Sequence, residues 1–279
     1  MHHFLLTIDV EDWFQVENLK PWIPTSSWNS YELRVEKNVN RILDLLDKKN
    51  IHATFFVLGW VAEKVPHLVR QISQRGHEIA SHGQNHELCN DLDLSELQND
   101  LTYSKNLLED ITGIEVMGYR APSFTISQNV LNVLSECGYK YDSSYNSFAM
   151  HGRYGKTDFS NYHKKGAAIQ LDNGFYELPI SNLGLMNKTF PWGGGGYFRI
   201  IPFFLFKAGI KKILRQEGDY LFYMHPWEID PNQPIPRKVS SKNRFKHTYN
   251  LSKTETRLEN MLDAFQECKF QTCSEYLDF

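Results

Sequence analysis

The sequence predicts a single α/β domain in which parallel strands and helices alternate around a barrel. Short apolar runs alternate with longer amphipathic segments through the first half of the chain, as expected of repeated strand–helix units. Several apolar runs also end in a polar residue suited to chemistry, and a β/α barrel gathers the carboxyl ends of its strands around one mouth. At 279 residues with 41% hydrophobic content, the chain is long enough to bury one large core.

The predicted elements of the first half follow each other in regular order. Strands are expected at residues 4–8, 53–58, 78–80, 115–119 and 139–141. Helices are expected between them at residues 35–49, 65–75, 93–111 and 129–137. Gly138 suits the end of the last helix, because glycine readily adopts left-handed backbone angles. These segments form consecutive β/α repeats.

The periodicity weakens in the second half of the chain. Residues 148–176 are rich in Gly, Asn, His and Lys, which predicts loops or short edge strands and a candidate region for substrate selection. Further strands are expected at 175–181, 219–224 and 271–273, helices at 202–216 and 251–268, and a flexible glycine loop at 193–196. One domain would then span residues 1–279, with a barrel core at about 4–230 and a C-terminal extension at about 231–279 packed on it.

Composition narrows the classes of function. The formal net charge of −3 lacks the basic excess that binding to a nucleic-acid backbone requires. The four cysteines have no CxxC spacing, and no secretion signal precedes the first strand, so we expect a cytoplasmic protein with reduced thiols. No apolar run approaches the ~20 residues that span a bilayer. Residues 198–210 are predicted as a buried helix or, alternatively, as a contact with a membrane surface. The sequence does not indicate an oligomeric state.

His82 and His86 form the most informative pair in the chain. Residues four apart share one face of a helix, so both rings could bind one divalent metal ion from a single helical turn. Such a pair needs a carboxylate, and acids stand at the end of the first strand. A lone pair of histidines at this spacing is more often structural, so the metal prediction depends on companion residues. The candidates at predicted strand ends are Asp9, Glu11, Asp12, Arg120, Asp142 and His225.

Four segments in this order resemble the polysaccharide deacetylases of carbohydrate esterase family 4, which share the NodB homology domain. They are Thr7-Ile8-Asp9, Ser81-His82-Gly83-Gln84-Asn85-His86, Tyr119-Arg120-Ala121-Pro122-Ser123 and Met224-His225. The stretches Asp9-Val10-Glu11-Asp12-Trp13 and His225-Pro226-Trp227-Glu228 are similar to the subgroup of Helicobacter-type peptidoglycan deacetylase and cofactor-free allantoinase, often found with exopolysaccharide gene clusters. The resemblance covers about residues 4–230. It implies a distorted, incomplete β/α barrel and a divalent metal ion, usually zinc.

One departure from the family pattern concerns the metal ligands. Most members carry two adjacent acids in the first motif, the first a base and the second a ligand, whereas Val10 follows Asp9 here. In the resembling subgroup the second acid stands two positions after the first, which points to Glu11 as the ligand beside the two histidines. Asp12 is the alternative, because a turn after the strand could direct either acid inward.

The resemblance also implies roles for the other residues. Asp9 would take a proton from metal-activated water, and Arg120 would pair with Asp9 and keep it ionised. His225 would protonate the leaving amine. Asp142 would either orient His225 or reinforce Arg120. Substrate contacts are expected from Pro122 in the arginine motif and from three aromatic residues able to stack on sugar faces: Trp192, Tyr197 and Trp227.

The leading hypothesis is a metal-dependent hydrolase that removes N-acetyl groups from a sugar in a polysaccharide or lipid-linked oligosaccharide. One alternative is hydrolysis of a small cyclic amide, as the allantoinase relatives imply. An open aromatic groove would favour the sugar, and a closed polar pocket the small amide. A second alternative is a non-catalytic carbohydrate-binding protein, against which the joint presence of base, ligands, arginine and acid argues.

Overall fold

A curved sheet lies at the centre of the protein, seen in a computed structural model that describes residues 1–148, 157–171, 174–186 and 188–279. The strands are β1 (His3–Val10), β2 (Thr54–Val57), β3 (Glu78–Ser81), β4 (Gly118–Tyr119), β5 (Tyr141–Asp142), β6 (His163–Lys165), β7 (Ala168–Gln170), β8 (Tyr176–Glu177), β9 (Asn182–Leu185), β10 (Lys188–Pro191), β11 (Asp219–Met224) and β12 (Lys269–Gln271). Hydrogen-bonded neighbours follow the order β11-β1-β2-β3-β4-β5-β8-β7-β6, and β12 pairs with the start of β1.

The sheet is parallel from β11 to β8, and β7 and β6 continue it as antiparallel edge strands. Because β11 and β6 lie at opposite ends of the strand order, the sheet forms an incomplete barrel. This confirms the predicted α/β fold. β9 and β10 form a separate antiparallel hairpin that the sequence did not predict.

Ten helices cover the sheet within the described residues. They are α1 (Val35–Lys49), α2 (Gly59–Lys64), α3 (Pro66–Gln74), α4 (Leu94–Thr112), α5 (Gln128–Glu136), α6 (Gly195–Ile200), α7 (Phe203–Glu217), α8 (Ser241–Thr248), α9 (Leu251–Ala264) and α10 (Cys273–Tyr276). Short 3₁₀ turns lie at Glu17–Leu19, Thr25–Ser30, Cys89–Asp91, Pro122–Phe124 and Pro226–Ile229. None of these helices combines the length and apolar character that crossing a bilayer requires.

Local signals set several helix ends. Asp93 caps α4 by accepting from the backbone amide of Glu96, whose side chain accepts in return from the amide of Asp93. This reciprocal pair satisfies two amides that have no partner within the helix. Gly113 ends α4 with a φ of 71°, and Asn50 ends α1 with a φ of 51°. The left-handed angles stop both helices where the chain must turn back to the sheet.

Strand register brings the carboxyl ends of the strands to one edge. Val57 of β2 pairs with Ser81 of β3, Ser81 with Tyr119 of β4, and Tyr119 with Asp142 of β5. On the other side of β1, Ile8 pairs with Met224 of β11. The residues that follow these strand ends therefore meet at the same mouth, as the barrel prediction required.

Side chains alternate between two cores along β1. Phe4, Leu6 and Ile8 pack with the helices in the larger outer core, whereas Leu5 packs with Phe56 in the smaller inner core. All four β1 residues named are fully buried, as expected of a parallel strand covered on both faces. The inner face thus continues from Leu5 through residues 7 and 9 toward the mouth of the barrel.

The helix expected at 65–75 is confirmed as α3, which Pro66 begins, and the short helix α2 before it was not predicted. Three predicted elements need correction. The C-terminal strand ends at Gln271, and the next residues begin α10. The helix expected at 251–268 ends at residue 264. The glycines expected as a flexible loop open α6, where a Cβ on Gly195 would lie 2.2 Å from the carboxylate of Glu228.

The remaining differences concern weakly patterned segments. The short strands predicted in residues 148–176 are present as β6, at the sheet edge, and β7 beside it, while residues 149–156 and 172–173 of that segment lie outside the described residues. The C-terminal segment joins the barrel through β12, and the amide of Cys273 donates to Thr54 of β2. Helix α8 was not predicted, because its sequence is polar and charged.

Candidate metal centre and active site

Three side chains converge at the mouth of the barrel. Glu11, His82 and His86 each offer one ligand atom, and these atoms lie within 4.8 Å of one another. All three residues are buried. Oε2 of Glu11 has no hydrogen-bond partner, although Nε2 of His86 lies 3.0 Å away. A buried carboxylate oxygen that faces imidazole nitrogens without bonding to them fits a shared metal ion.

The electrostatics of the cluster also suit metal ligands. Burial alone would raise the pKa of Glu11, but the imidazoles of His86 and His225 outweigh it and lower the pKa to about 2. Burial lowers the pKa of His82 to about 4, so its ring is neutral. Nδ1 of His82 donates to the carbonyl of Arg120 at 2.7 Å, which leaves Nε2 as a free electron-pair donor.

The histidines lie on a loop after β3, so the prediction that they share a helical turn is wrong. Gly83 and His86 have positive φ angles of 72° and 56°, which are incompatible with a right-handed helix. Asp100 of α4 accepts from the amide of Gln84 and fixes this loop. A Cβ on Gly83 would lie 3.0 Å from Asp100, so glycine allows the close approach.

Asp12, the alternative ligand, lies outside this cluster. Its Oδ1 accepts from the amide of Trp13, and its Oδ2 accepts from the amides of Arg34 and Val35. Burial raises the pKa of Asp12 to about 6 despite these bonds. With both oxygens occupied by backbone donors, Asp12 connects the loop after β1 to the start of α1.

Asp9 and Arg120 form the ion pair that the sequence predicted. Nη1 of Arg120 lies 2.6 Å from Oδ1 of Asp9 and 2.7 Å from Oγ1 of Thr7. The fully buried guanidinium also donates to the carbonyl and hydroxyl of Ser143 and packs over the ring of Phe56. Arg120 is therefore held on every side, and it fixes the carboxylate of Asp9.

His225 lies opposite the cluster of Glu11, His82 and His86. Its Nε2 is 3.4 Å from Oε1 of Glu11 and 3.9 Å from Oδ2 of Asp9. Its Nδ1 bonds Oε1 of Glu228 at 2.9 Å. Burial would lower the pKa of His225, but the nearby carboxylates of Glu11 and Glu228 raise it to about 9. Glu228, which sequence reasoning missed as a site residue, stands three residues after His225 in the same short turn.

Arg199 supports Glu228 from behind. Its Nε donates to Oε2 of Glu228 at 2.7 Å, and both side chains are buried. Its other nitrogens donate to the carbonyls of residues 246, 247 and 249. The pair therefore connects α6, the end of β11 and the end of α8 around the ring of His225.

Trp227 has a different position from the sugar-stacking one that the sequence predicted. It is only 5% exposed, and its ring stacks between those of His225 and His247. Its Nε1 donates to Oε1 of Glu11 at 3.2 Å. Trp227 thus supports two site residues from the protein side and presents no face to a ligand.

The other predicted substrate contacts also lie away from the pocket wall. Trp192 packs against α7. Its ring stacks on that of Phe206, and its Nε1 donates to the carbonyl of Phe206 at 2.9 Å. Tyr197 is half-buried against Phe148. Pro122 is buried at the start of a 3₁₀ turn, although its neighbours line the pocket.

An open pocket of about 180 Å³ lies between this three-residue cluster and His225. The remaining lining comes from two walls, which are Val16, Glu17 and Asn18 after β1, and Ala121, Ser123, Phe124 and Tyr223 on the other side. Ser123 and Phe124 both have positive φ angles, so the backbone is strained where the arginine motif meets the pocket. Oε2 of Glu17 is buried without a hydrogen-bond partner.

Asp142 neither contacts His225 nor bonds Arg120. Its Oδ1 accepts from the hydroxyl of Ser144, and its partner is Glu177, whose Oε1 accepts from the amides of Ser144 and Tyr145. Burial raises the pKa of Asp142 to about 6, and burial together with the charge of Asp142 raises the pKa of Glu177 well above its usual range. The two buried carboxyls therefore hold a proton between them and stabilise the strand end beside Arg120.

Comparison with known proteins divides the chain into two matches. Residues 27–141 match the family described as polysaccharide deacetylase, and residues 143–278 match a domain of unknown function, DUF3473. A peptidoglycan-N-acetylglucosamine deacetylase of Bacillus cereus is 33% identical over 36% of this chain and 46% of the relative. The peptidoglycan deacetylase of Helicobacter pylori is 32% identical over 39% and 37%, respectively. The aligned part thus spans less than half of these relatives.

Solved structures share the fold over nearly the whole chain. A Mycobacterium smegmatis protein described as a polysaccharide deacetylase aligns with a TM-score of 0.65 at 20% identity, covering 99% of this chain and 88% of that one. BA3943, a CE4 family pseudoenzyme from Bacillus anthracis, aligns with a TM-score of 0.53 at 14% identity, covering 99% and 66%. At these identities, the likeness shows the fold alone.

Substitution of the two alternative acids tests which one binds metal. We expect Glu11→Gln to weaken zinc binding by more than about 100-fold, since even the loss of an outer partner of a ligand costs about 10–100-fold. Asp12→Asn should bind zinc normally but lower the free energy of unfolding by about 1–2 kcal/mol, because one backbone acceptor is lost. Calorimetric titration of the metal-free protein with zinc, beside thermal denaturation, measures both. Loss of zinc binding in Asp12→Asn alone would reverse the assignment.

The Asp142–Glu177 pair predicts a pH dependence of stability. The folded state keeps protons that the unfolded chain releases above about pH 4, so the pair's contribution to stability falls as pH rises from about 4 through the raised pKa values of both carboxyls. Glu177→Gln keeps the acceptor for both amides and donates to Asp142. We expect its free energy of unfolding to gain ~2 kcal/mol relative to the wild type between pH 4 and 8. Urea unfolding measures this gain, and exposed Glu136→Gln should show none.

Proposed function

We propose that the protein is a metal-dependent hydrolase that removes N-acetyl groups from a sugar in a polysaccharide or oligosaccharide, because residues 27–141 match the polysaccharide deacetylase family. The observation that carries this proposal is the meeting of three donor side chains, a fixed carboxylate and a histidine in one pocket. The names of the relatives support deacetylation of an N-acetylated glycan.

Glu11, His82 and His86 would hold the metal ion. Two imidazole nitrogens and one carboxylate oxygen are a donor set that zinc favours in catalytic sites. When bound, a zinc ion supplies Lewis-acid polarisation of the acetyl carbonyl and lowers the pKa of a bound water. The neutral ring of His82 and the free carboxylate of Glu11 need not lose a proton first.

Asp9 would act as the general base. Arg120 engages one of its oxygens at 2.6 Å, and the other oxygen faces the pocket near His225. A carboxylate that is fixed in this way can accept a proton from a water molecule without first reorienting. Arg120 lies behind Asp9 and is fully buried, so it positions the base and does not touch the substrate.

His225 would donate a proton to the leaving nitrogen. An amine leaves readily only when it is protonated, and histidine transfers protons near neutral pH. Glu228 bonds Nδ1 and so directs Nε2 toward the pocket. Glu228 orients His225, a role for which the sequence analysis had offered Asp142. In the proposed mechanism Asp9 accepts a proton, His225 donates one, and Glu228 positions His225.

The pocket wall favours a sugar over a small cyclic amide. Phe124 and Tyr223 lie edge to face beside the cluster and offer apolar surface to a sugar ring or an acetyl methyl group. Asn18 on the other wall is exposed, so the pocket opens to the outside as a polymer requires.

A non-catalytic role would not explain why charged side chains are buried at this site. Buried charges such as Glu11 are costly unless they are paired or bind metal.

We also propose action in the cytoplasm on exopolysaccharide material. All four cysteines are unpaired, as is usual in a reducing compartment.

Asp9→Asn tests the proposed base. We expect the zinc content to be retained and the rate of acetate release from N-acetylated oligosaccharides to fall by about 10²–10⁴-fold, the usual contribution of a general base. The variant should also unfold more easily, because the buried Arg120 loses the charge of Asp9, so activity is measured well below its melting temperature. Full activity in Asp9→Asn would show that the base is another group.

Glu228→Gln tests the positioning of the acid. Glutamine can still bond Nδ1 but carries no charge, so we expect kcat to fall by about 10–100-fold with little change in KM. The matched control is Glu255→Gln, which removes a carboxylate paired with Arg41 on the surface. Equal kcat in Glu228→Gln and wild type would contradict the positioning role.

A further inference from the structure

Exposed apolar side chains are concentrated in one short region. Half of the large apolar residues that are exposed within the described chain lie between residues 185 and 205. They are Leu185, Met186, Phe190, Ile200, Phe204 and Leu205, which together we term the apolar rim. Met186 is 89% exposed and Phe204 is 68% exposed. Single exposed apolar residues need no explanation, but such clusters mark interaction surfaces.

The segment 198–210, predicted as a buried helix or a membrane-surface contact, is partly buried and partly exposed. Phe198, Phe206 and Ile210 are buried in the outer core. Phe204 and Leu205 point outward in the first turn of α7, and Ile200 is exposed at the end of α6. The segment is therefore a packed helix that also has an exposed apolar end.

The part of the apolar rim that belongs to α6 and α7 lies at the active-site end of the barrel. Helix α7 leads directly into β11 through Gly218, so the helix and the strand run in opposite directions. The first turn of α7 is consequently level with the carboxyl end of β11, which carries Tyr223 and His225. Helix α6 begins beside the same strand, because Gly194 bridges to Tyr223. The hairpin contacts α7 through β9.

A basic stripe continues from the rim along α7. Exposed residues recur as Phe204, Ala208, Lys211 and Arg215, which share one face of the helix. Lys207 and Lys212 flank this face, and Glu217 is the only acid in the helix. Within the described residues, no ion pair involves any of the three lysines of α7. Their charges are therefore available to an anionic partner.

We propose that the apolar rim and the basic face of α7 dock the protein on a bilayer that contains anionic lipids. Aromatic and aliphatic side chains insert at the headgroup boundary, and adjacent lysines bind acidic headgroups, which together give reversible surface binding. A symmetric contact with a second copy would instead place two basic stripes against each other. Docking would hold the pocket beside the membrane, where, if the proposed function holds, a lipid-linked glycan is within reach.

Vesicle co-sedimentation of the full chain tests this docking. We expect binding to vesicles of phosphatidylcholine with one third phosphatidylglycerol, weak binding to phosphatidylcholine alone, and release at high salt. Phe204→Asp/Leu205→Asp should reduce partitioning at least about tenfold by removing apolar insertion. Lys211→Glu/Lys212→Glu should reduce it more than about 25-fold, at about fivefold for each charge removed.

Matched controls separate docking from general effects of charge and folding. Acid in the first turn of a helix is favourable, and α7 has none there, so the aspartate variant should fold normally. Leu94→Asp makes one such change in the first turn of α4, where Leu94 is 59% exposed. Lys37→Glu/Lys140→Glu reverses two exposed charges elsewhere. Both controls should bind vesicles like the wild type.

Several outcomes would overturn the proposal. Failure of the wild type to bind anionic vesicles at low salt would do so, as would equal binding by the rim variants. A dimer in analytical ultracentrifugation that the rim variants lose would assign the surface to a second copy. Acetate release from a water-soluble oligosaccharide should be the same in rim variants and wild type. If no sample released acetate, the deacetylase proposal would fail while the vesicle result would still decide the docking.

Discussion

The ion pair between Arg120 and Asp9 is the constraint on which the mouth of the barrel depends. A fully buried guanidinium is tolerated only when its donors are satisfied, and breaking such a pair typically costs about 3–5 kcal/mol. Its partners come from the ends of β1 and β5, so these strand ends must keep their relative positions. The carbonyl of Arg120 also bonds His82. One residue therefore fixes the proposed base, the strand ends and the orientation of a proposed metal ligand.

Arg199 and Glu228 form a second buried ion pair, which fixes His225 as Arg120 fixes Asp9. In both pairs the guanidinium lies away from the pocket. The carboxylate of Glu228 bonds His225, whereas the carboxylate of Asp9 is itself the proposed base. Trp227 fills the space between them, stacked on His225 and bonded to Glu11. The site is thus supported by charge pairs and packed rings from several elements, as precise positioning of reacting groups requires.

Periodicity predicted most strands and helices, because the β/α repeats of the first half have strong apolar patterns. Strand alternation could also have chosen between the two acids, since Glu11, two residues after Asp9, shares its face, whereas Asp12 does not. The histidine loop was misjudged as a helix because a spacing of four fits both. Glu177 and Arg199 were beyond reach, since their partners are distant in sequence. Trp192 and Trp227 were near the motifs in sequence, but burial is a tertiary property.

The three acids after β1 show why residue type alone cannot assign a role. Asp12 has backbone amides on both oxygens and serves the fold. Glu11 faces imidazoles and keeps an oxygen without a hydrogen bond, as a metal ligand would. Asp9 has a guanidinium on one oxygen and open pocket at the other. The donors around each carboxylate thus separate the structural Asp12 from the proposed ligand Glu11 and the proposed base Asp9, and these donors are supplied by α1, the loop after β3 and the end of β4.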